Sequence, residues 1–193
     1  MLEEFGGPEK LLYKTDVPDP EINDDEVLVA VAAASVNPID WKLRSSSQTA
    51  GMMGFSLPAI LGRDVSGVVR AVGKNVSGVS VGDRILSYVN GGAYASLIKF
   101  PAADLAHIPD GLDTVDAAAI PLVALTGDQL VREACALQPG QTVLVTGATG
   151  SVGRCAVHSA RTLGARVFAG VRKKYVEDAR ALGVEGVVAI DDD

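Results

Sequence analysis

The glycine-rich segment at residues 142–153 is the part of this sequence best suited to bind a ligand. Its residues 143–145 are continuously apolar, which is typical of a parallel strand covered on both faces. Gly150 and Gly153 then occupy the last two glycine positions of a dinucleotide-binding turn, where the N–H groups at the start of a helix hold phosphates. The first glycine of the usual Gly-x-Gly-x-x-Gly pattern is Ala148 here. The segment taken alone therefore also fits an ordinary tight turn from a strand to a helix.

The residues after this turn repeat the strand and helix alternation of a nucleotide-binding unit. A helical pattern over 154–163 ends at Gly164, a residue type that favours helix termination. An apolar strand is expected at 166–169, a second helix at 176–182 and a third apolar strand at 187–190. This βαβαβ order predicts one half of a doubly wound parallel sheet.

The end of the second strand bears on the choice of cofactor. A site for NAD places Asp or Glu about 20 residues past the glycines, where it holds the ribose 2′-hydroxyl. Here Gly170 and Val171 fill that region, and Arg172, Lys173 and Lys174 follow. Cations without a carboxylate suit a 2′-phosphate, so the sequence predicts NADP(H) as the cofactor. The alternative is a solvated charge run, although cations at a helix start oppose the helix dipole.

The candidate cofactor-binding residues come from these two segments. The turn would contribute backbone N–H groups and the strand end cationic side chains. The predicted set is Ala148, Thr149, Gly150, Ser151, Val152, Gly153, Gly170, Arg172, Lys174 and Tyr175.

Composition limits the classes of partner. With 24 acidic and 17 basic residues the net charge is −7, which argues against a nucleic-acid surface and favours a small-molecule substrate. The longest apolar run, 27–34, is far shorter than the roughly 20 residues of a membrane span, and the acidic start is unlike a signal peptide. We therefore expect a cytoplasmic protein that binds neither nucleic acid nor a membrane. Two cysteines cannot form a Cys-rich metal site.

The first half of the chain has a different organisation, with short apolar stretches separated by glycines. Such a pattern predicts a small barrel-like β domain. The boundary to the nucleotide-binding region is expected near 121–125. The expected elements are an apolar strand at 27–36, a polar loop at 44–49, β segments at 61–73 and 79–85, a strand that starts within 91–96 and a helix at 114–120 capped by Asp113 or Thr114.

Seven short motifs follow one another along the chain. They are Asn37-Pro-x-Asp40, Leu-Gly62-x-Asp64-x-x-Gly67-Val-Val, Gly82-Asp-Arg, Gly92-Ala-Tyr-Ala, Ala118-Ala-Ile-Pro-Leu with Leu125-Thr126, Pro139-Gly-Gln-Thr-Val-Leu-Val and Gly150-x-Val152-Gly153. In this order they resemble the medium-chain dehydrogenase/reductase superfamily, in its zinc-free quinone oxidoreductase and alkenal reductase branch. The resemblance implies a GroES-like β-barrel domain at 1–122, a partial Rossmann domain at 123–193, and hydride transfer from NADPH to a quinone or to an activated alkene or carbonyl.

The resemblance also suggests roles for individual residues. It places Asn37 beside the nicotinamide ribose and the substrate as the candidate catalytic residue, the alternative being a turn-forming Asn before Pro. Thr126 corresponds to a position that contacts the nicotinamide carboxamide. Similar zinc alcohol dehydrogenases carry Gly-His-Glu where this chain has Gly62-Arg63-Asp64, and arginine does not lose the proton that zinc coordination requires. We therefore expect no metal, with His107 and His158 unpaired and Asp64 structural.

Three features depart from the resemblance. Asp128 stands where similar reductases often carry an aromatic residue, no Tyr occurs between Trp41 and Phe55, and the sequence ends after the third Rossmann strand. A shortened protein of this kind would bind the adenosine end of the cofactor and reduce substrate poorly. It would also leave a sheet edge open beside the first strand, which favours homo-oligomers. The alternative function is a non-catalytic or truncated nucleotide-binding protein that keeps only the adenosine half of the site.

Overall fold

The structure is a computed structural model that describes residues 1–191. The chain forms two compact units, which divide between Pro121 and Leu122. Each unit has hydrophobic core clusters of its own.

The first unit is built on an antiparallel sheet of five strands in the order β4-β1-β2-β3-β5. The strands are β1 (Glu26–Ser35), β2 (Asp64–Val72), β3 (Arg84–Tyr88), β4 (Leu97–Pro101) and β5 (Leu105–His107). Its core includes the fully buried Val27, Val29, Val65, Val69 and Ile85. The predicted β domain is confirmed, but the sheet within residues 1–191 is open and not a closed barrel, because the edge strands β4 and β5 do not pair and β5 has only three residues.

Two helices follow β1 where the sequence suggested a polar loop at 44–49. They are α1 (Pro38–Ser45) and α2 (Ser47–Met52). Ser46 separates them and caps α2, since its Oγ accepts a hydrogen bond from the amide of Thr49 at 3.2 Å. Ala50 anchors α2 in a small apolar cluster with Leu43. The loop prediction was wrong because the polar residues cap and cover these helices.

The strand that was expected to start within residues 91–96 is a second difference from the sequence prediction. Residues 91–96 form a loop and not the start of a strand, since Gly91 and Gly92 have φ angles of 123° and 97°, which an extended strand does not use. Helix α3 (Thr114–Ala117) begins as expected after Asp113, whose Oδ1 accepts from the amide of Val115 at 2.7 Å.

The second unit contains the predicted partial Rossmann sheet. Its three strands are parallel in the order β6-β7-β8. The elements are α4 (Pro121–Gln129) with a π-helical turn at Leu130–Ala134, β6 (Thr142–Thr146), α5 (Ser151–Thr162), β7 (Arg166–Val171), α6 (Val176–Arg180) and β8 (Gly186–Ala189). Helix α5 packs Val157 and Ala160 against Val167 and Ala169 of the central strand β7. Strand β6 lies at the edge, as expected, and pairs only with β7 within residues 1–191.

The helical stretch Thr114–Ala134 is long and apolar enough to cross a membrane if length and composition alone are considered. In the fold it consists of α3, α4 and the π-helical turn, with two Asp residues and Pro121 inside it. Buried helices of globular proteins meet the same two criteria, so this stretch is weak evidence for a membrane span.

Candidate functional site

Buried polar side chains gather where β1 ends and β2 begins in the first unit. Ser35, the last residue of β1, pairs with Asp64, the first residue of β2. Asp64 also pairs with Tyr88 at the end of β3. Four side chains here are buried although they are polar or charged: Asn37, Asp40, Arg63 and Asp64. We call this set, with Ser35, Tyr88, Asn90 and Tyr94, the polar cluster.

Asn37, the predicted catalytic residue, is held by two carboxylates in the polar cluster. Its Nδ2 donates to Asp64 Oδ2 and to Ser35 Oγ, both at 2.9 Å. Ser35 Oγ in turn donates to the same carboxylate oxygen at 2.6 Å. The Asn37 backbone N–H donates to Asp40 Oδ2 at 2.8 Å. Both amide protons of Asn37 are used inside the protein, so a ligand can only donate to its amide oxygen.

Arg63 is the cation of the polar cluster, and sequence reasoning treated it only as a missing zinc ligand. Its side chain is buried, with the residue only 4% exposed. Nη1 donates to the Tyr88 hydroxyl and to Asn90 Oδ1, the latter at 3.2 Å. Its Nε is buried and has no hydrogen-bond partner among residues 1–191. The sequence did carry a signal for this role, since Arg63 is a cation in an otherwise apolar strand region, at the position where similar zinc enzymes have a histidine.

Tyr94 completes the polar cluster. Its hydroxyl donates to the backbone oxygen of Ser35 at 3.3 Å. Burial raises the pKa of Tyr94, and the nearby carboxylates of Asp40 and Asp64 raise it further. The phenol therefore stays protonated at neutral pH and acts as a hydrogen-bond donor.

The turn after β6 in the second unit explains the missing first glycine of the motif. Gly147 adopts the left-handed conformation with φ 64°, so the reversal occurs one residue before Ala148. Ala148 is fully buried in the core of the unit. A Cβ at Gly153 would lie 2.1 Å from the Gly147 oxygen, far inside contact distance. The helix can therefore approach the turn this closely only with glycine at residue 153.

Free backbone N–H groups point out of this turn. The first amide of α5 with a partner is that of Arg154, which donates to the Gly150 oxygen at 2.8 Å. The amides of Ser151, Val152 and Gly153 accordingly have no partner within the described part of the chain. Three free donors at the positive end of a 12-residue helix fit a phosphate group, so these residues suit a dinucleotide.

The end of β7 lies next to the glycine turn, because the amide of Gly147 donates to the Gly170 oxygen at 2.8 Å. The predicted residues Arg172 and Lys174 follow and are exposed. Lys174 Nζ lies 4.8 Å from the Tyr175 ring centroid. One carboxylate is also present, since Asp191 Oδ1 accepts from the Lys173 amide at 2.7 Å. The structure thus places the two predicted cofactor segments side by side.

The predicted contact residue Thr126 lies on α4 in the second unit, whereas Asn37 lies in the first. Its hydroxyl donates to the Leu122 oxygen at 2.7 Å within the same helix, and its cofactor contact stays a prediction. Asp128 links α4 to α5 because its Oδ1 accepts from Ser159 Oγ and from Arg132 Nε. The Ser159 hydroxyl, followed by Arg132, lowers the pKa of Asp128.

No group of three or more His, Cys, Asp or Glu side chains within residues 1–191 is arranged to hold a metal ion. His107 differs from its prediction, since it ends β5 and its Nε2 lies 3.1 Å from Asp83 Oδ2. One carboxylate and one imidazole do not make a zinc site. The absence of a metal from the active protein stays a prediction.

Comparison with known proteins finds similarity along most of the chain. The family model for the alcohol dehydrogenase GroES-like domain matches residues 23–110. Human quinone oxidoreductase is 36% identical over 167 residues, which is 86% of this chain and 50% of the relative. The quinone oxidoreductase of Pseudomonas aeruginosa is 39% identical over 166 residues, 85% of this chain and 49% of the relative. The chain is thus similar to the quinone oxidoreductase-like medium-chain dehydrogenases/reductases.

Solved structures of this family superpose on nearly the whole chain. An alcohol dehydrogenase superfamily protein from Novosphingobium aromaticivorans has a TM-score of 0.86 at 36% identity, covering 97% of this chain and 56% of its own. A mycobacterial protein complexed with NADPH has a TM-score of 0.80 at 34% identity, covering 100% and 58%. The chain spans about half the length of the curated relatives it matches.

Proposed function

We propose that the protein is an NADPH-dependent oxidoreductase that reduces a quinone or an activated alkene or carbonyl. The observation that carries the proposal is the turn after β6, where three free amides at a helix start lie beside a strand end that carries cations. The family supports a nicotinamide cofactor, and one structural neighbour is an NADPH complex.

The residues of the second unit would bind the two phosphate regions of the cofactor. The amides of Ser151, Val152 and Gly153 suit the pyrophosphate. The guanidinium of Arg172 suits a 2′-phosphate, because it can donate two parallel hydrogen bonds. The bound cofactor would supply a hydride, and the chain itself positions the acceptor.

The choice of NADPH over NADH rests on the end of β7. Gly170 leaves no carboxylate at the strand end, and a Cβ there would lie within 3.5 Å of neighbouring side chains, so a longer acidic residue has little room. Arg172 and Lys174 are exposed and available to a phosphate. Asp191 is the one observation against a phosphate here, since its carboxylate lies at the Lys173 amide.

Titration of the purified chain with NADPH and NADH, followed by nicotinamide fluorescence, tests this preference. Arg172→Ala should weaken NADPH binding about tenfold and leave NADH binding unchanged, because only NADPH carries the third phosphate. Arg166→Ala is the matched control, since Arg166 is an exposed arginine at the opposite end of β7. Equal affinities of the unsubstituted protein for the two cofactors would refute the NADPH preference.

A second candidate is a nucleotide-binding protein without hydride transfer. The observation in its favour is that the described residues of the second unit supply the turn with free amides that suits a phosphate. Binding of 2′-phospho-ADP-ribose without quinone-dependent oxidation of NADPH would support this candidate over the first. The small-molecule substrate and the cytoplasmic location stay predictions.

We further propose a homo-oligomer, because β6 has one unpaired edge among residues 1–191 and an open edge can pair with another chain. Sedimentation of the purified chain measures this directly. A monomer at all concentrations would contradict it.

A further inference from the structure

Strand β6 is an edge strand that lacks the usual protection of a sheet edge. Within residues 1–191 it pairs with β7 alone. Natural edge strands are kept from pairing with other chains by charged side chains, by proline or by very short length. Residues 141–147 contain no charged residue and no proline, and β6 has five residues. This edge can therefore accept another strand.

The other three sheet edges in the described part of the chain each carry a protective feature. Strand β4 has Lys99 at its centre and ends at Pro101. Strand β5 has only three residues. Strand β8 has four residues and lies between Glu185 and Asp191. Among these four edges, β6 is the one best suited to pair with a further chain.

The ladder between β6 and β7 fixes which backbone groups of β6 point outward. The Gln141 oxygen accepts from the amide of Arg166 at 2.7 Å, and the amide of Gly147 donates to the Gly170 oxygen at 2.8 Å. Successive residues of a strand direct their N–H and C=O groups to opposite sides, so the odd-numbered residues of β6 face β7. The residues that face the open edge are the even-numbered Thr142, Leu144 and Thr146.

The sequence of β6 is a palindrome, because residues 142–146 read Thr-Val-Leu-Val-Thr in both directions. A two-fold axis at Leu144 would set β6 antiparallel to β6 of a second copy and pair Leu144 with Leu144 and Thr142 with Thr146. In this register the residues that face the edge form the hydrogen-bonded pairs, so each outward N–H and C=O finds a partner. A two-fold interface requires such a self-complementary surface.

The same register joins an exposed apolar surface of each copy. Leu144, Val188 and Ile190 are 51%, 45% and 51% exposed. They lie on one face of the sheet, since a Cβ at Gly170 would contact Leu144 and Ile190, and Val188 pairs with Gly170. Directly opposed residues of antiparallel strands share a face, so the apolar faces of the two copies become continuous at Leu144. Burial of Leu144 against its counterpart favours association.

We propose that two copies of this chain pair antiparallel through β6, about a two-fold axis at Leu144, and so join their three-stranded sheets into one continuous sheet. The proposal rests on the proposed homo-oligomer and names its interface. It does not depend on hydride transfer. One short strand buries a small area, so the dimer dissociates on dilution.

Hydrogen exchange of the unsubstituted protein, followed by NMR at protein concentrations on both sides of the sedimentation transition, tests the pairing. The amides of Leu144 and Thr146 should be about tenfold or more better protected in the dimer. The amides of Val143 and Val145, which face β7, should show the same protection at both concentrations. Oligomers without this protection of Leu144 and Thr146 would overturn the proposed interface alone. A monomer at all concentrations would overturn the homo-oligomer as well.

Leu144→Lys gives an independent test, because it sets two like charges opposite each other at the axis. It should raise the dissociation constant of the dimer by about tenfold or more. Val188→Lys is the matched control, since Val188 is similarly exposed on the same face but lies on β8. It should leave the dissociation constant unchanged. A folded Leu144→Lys protein that dimerises as well as this control would overturn the proposal.

Disulfide trapping locates the axis directly. In a Cys135→Ser, Cys155→Ser background, Leu144→Cys should form a disulfide between copies under mild oxidation, because Cα atoms of hydrogen-bonded antiparallel pairs lie about 5.5 Å apart. Val188→Cys should not, since five strand spacings separate the two β8 strands by roughly 24 Å. Equal trapping of the two variants would overturn the assignment of the axis to β6.

Discussion

The two units differ in the groups that supply their candidate chemistry, which are side chains in the first unit and backbone amides in the second. Six of the buried polar side chains of the described chain lie in the first unit, namely Asn37, Asp40, Arg63, Asp64, Ser66 and Ser87, whereas Ser159 is the one in the second. The second unit instead offers backbone amides at a turn shaped by glycines. The first unit therefore depends on which side chains are present, and the second on where side chains are absent.

This difference predicts different sensitivities to substitution. In the first unit the loss of a functional group should matter most, because each buried polar atom needs its partner. In the second unit the gain of a methyl group should matter most, because backbone atoms are in close approach. Substitutions of the two kinds test the contrast directly.

The largest effect is expected for Asp64→Asn in the polar cluster. Asp64 is fully buried and accepts from both Ser35 and Asn37 through one oxygen. An amide at this position weakens two charge-assisted hydrogen bonds, so we expect the free energy of unfolding to fall by about 2–4 kcal/mol. Trp41 is the single tryptophan of the chain and lies in the first unit, so its fluorescence during urea unfolding gives the measurement.

The control for this prediction is Asp110→Asn, at an exposed loop position of the same unit. It should change the unfolding midpoint little. An Asp64→Asn protein as stable as the control would show that the polar cluster does not depend on the carboxylate.

The next effect is expected for Gly153→Ala in the second unit. The added Cβ would lie 2.1 Å from the Gly147 oxygen, so α5 must shift away from the turn. We expect a loss of about 1–3 kcal/mol in the free energy of unfolding and weaker binding of 2′-phospho-ADP-ribose. Hydrogen exchange of β6 and β7 measures the first, and isothermal titration the second.

The matched substitution is Gly51→Ala in α2, where an added Cβ meets no atom within 4 Å. It should be neutral or stabilise the protein by up to about 1 kcal/mol, because alanine favours the helix. If Gly153→Ala were equally harmless, the close approach at the turn would not be a requirement of this fold.

The same contrast explains what the sequence could predict. The βαβαβ order and the glycine turn were predicted correctly, because local patterns of apolar residues and glycines encode them. Even the replaced first glycine follows from a neighbour, since Gly147 provides the left-handed residue.

The polar cluster was beyond prediction from local pattern. Ser35, Asp64 and Tyr88 meet only through the pairing of three strands, and the hydrogen bond from Ser35 to Asp64 joins residues 29 positions apart. The loop at 44–49 was mispredicted for a related reason, since the buried Ala50 anchors a helix that the polar sequence concealed. Long-range contacts override local propensity in both places.

The smallest effect on stability is expected for substitution of Asp128. Its hydrogen bonds are an exception to the contrast between the units, because here a side chain of the second unit makes the contact. Hydrogen bonds from Ser159, and then from Arg132, hold the pKa of Asp128 below its ordinary value of 3.8. A lowered pKa in the folded state means that the carboxylate stabilises the fold above the ordinary value, and that this contribution is lost as the pH falls through the lowered pKa.

Asp128→Asn should therefore lower the urea midpoint of the second unit slightly at neutral pH, and the gap to the unsubstituted protein should close as the pH falls below the ordinary carboxyl pKa of 3.8. Hydrogen exchange of β7 at neutral pH and below pH 3.8 provides the measurement. Asp178→Asn, at an exposed position of α6, is the control and should show no pH-dependent gap. A gap that widens on acidification would mean that protonated Asp128 is the stabilising form, which contradicts the direction of its pKa shift and the hydrogen bond that its carboxylate accepts from Ser159.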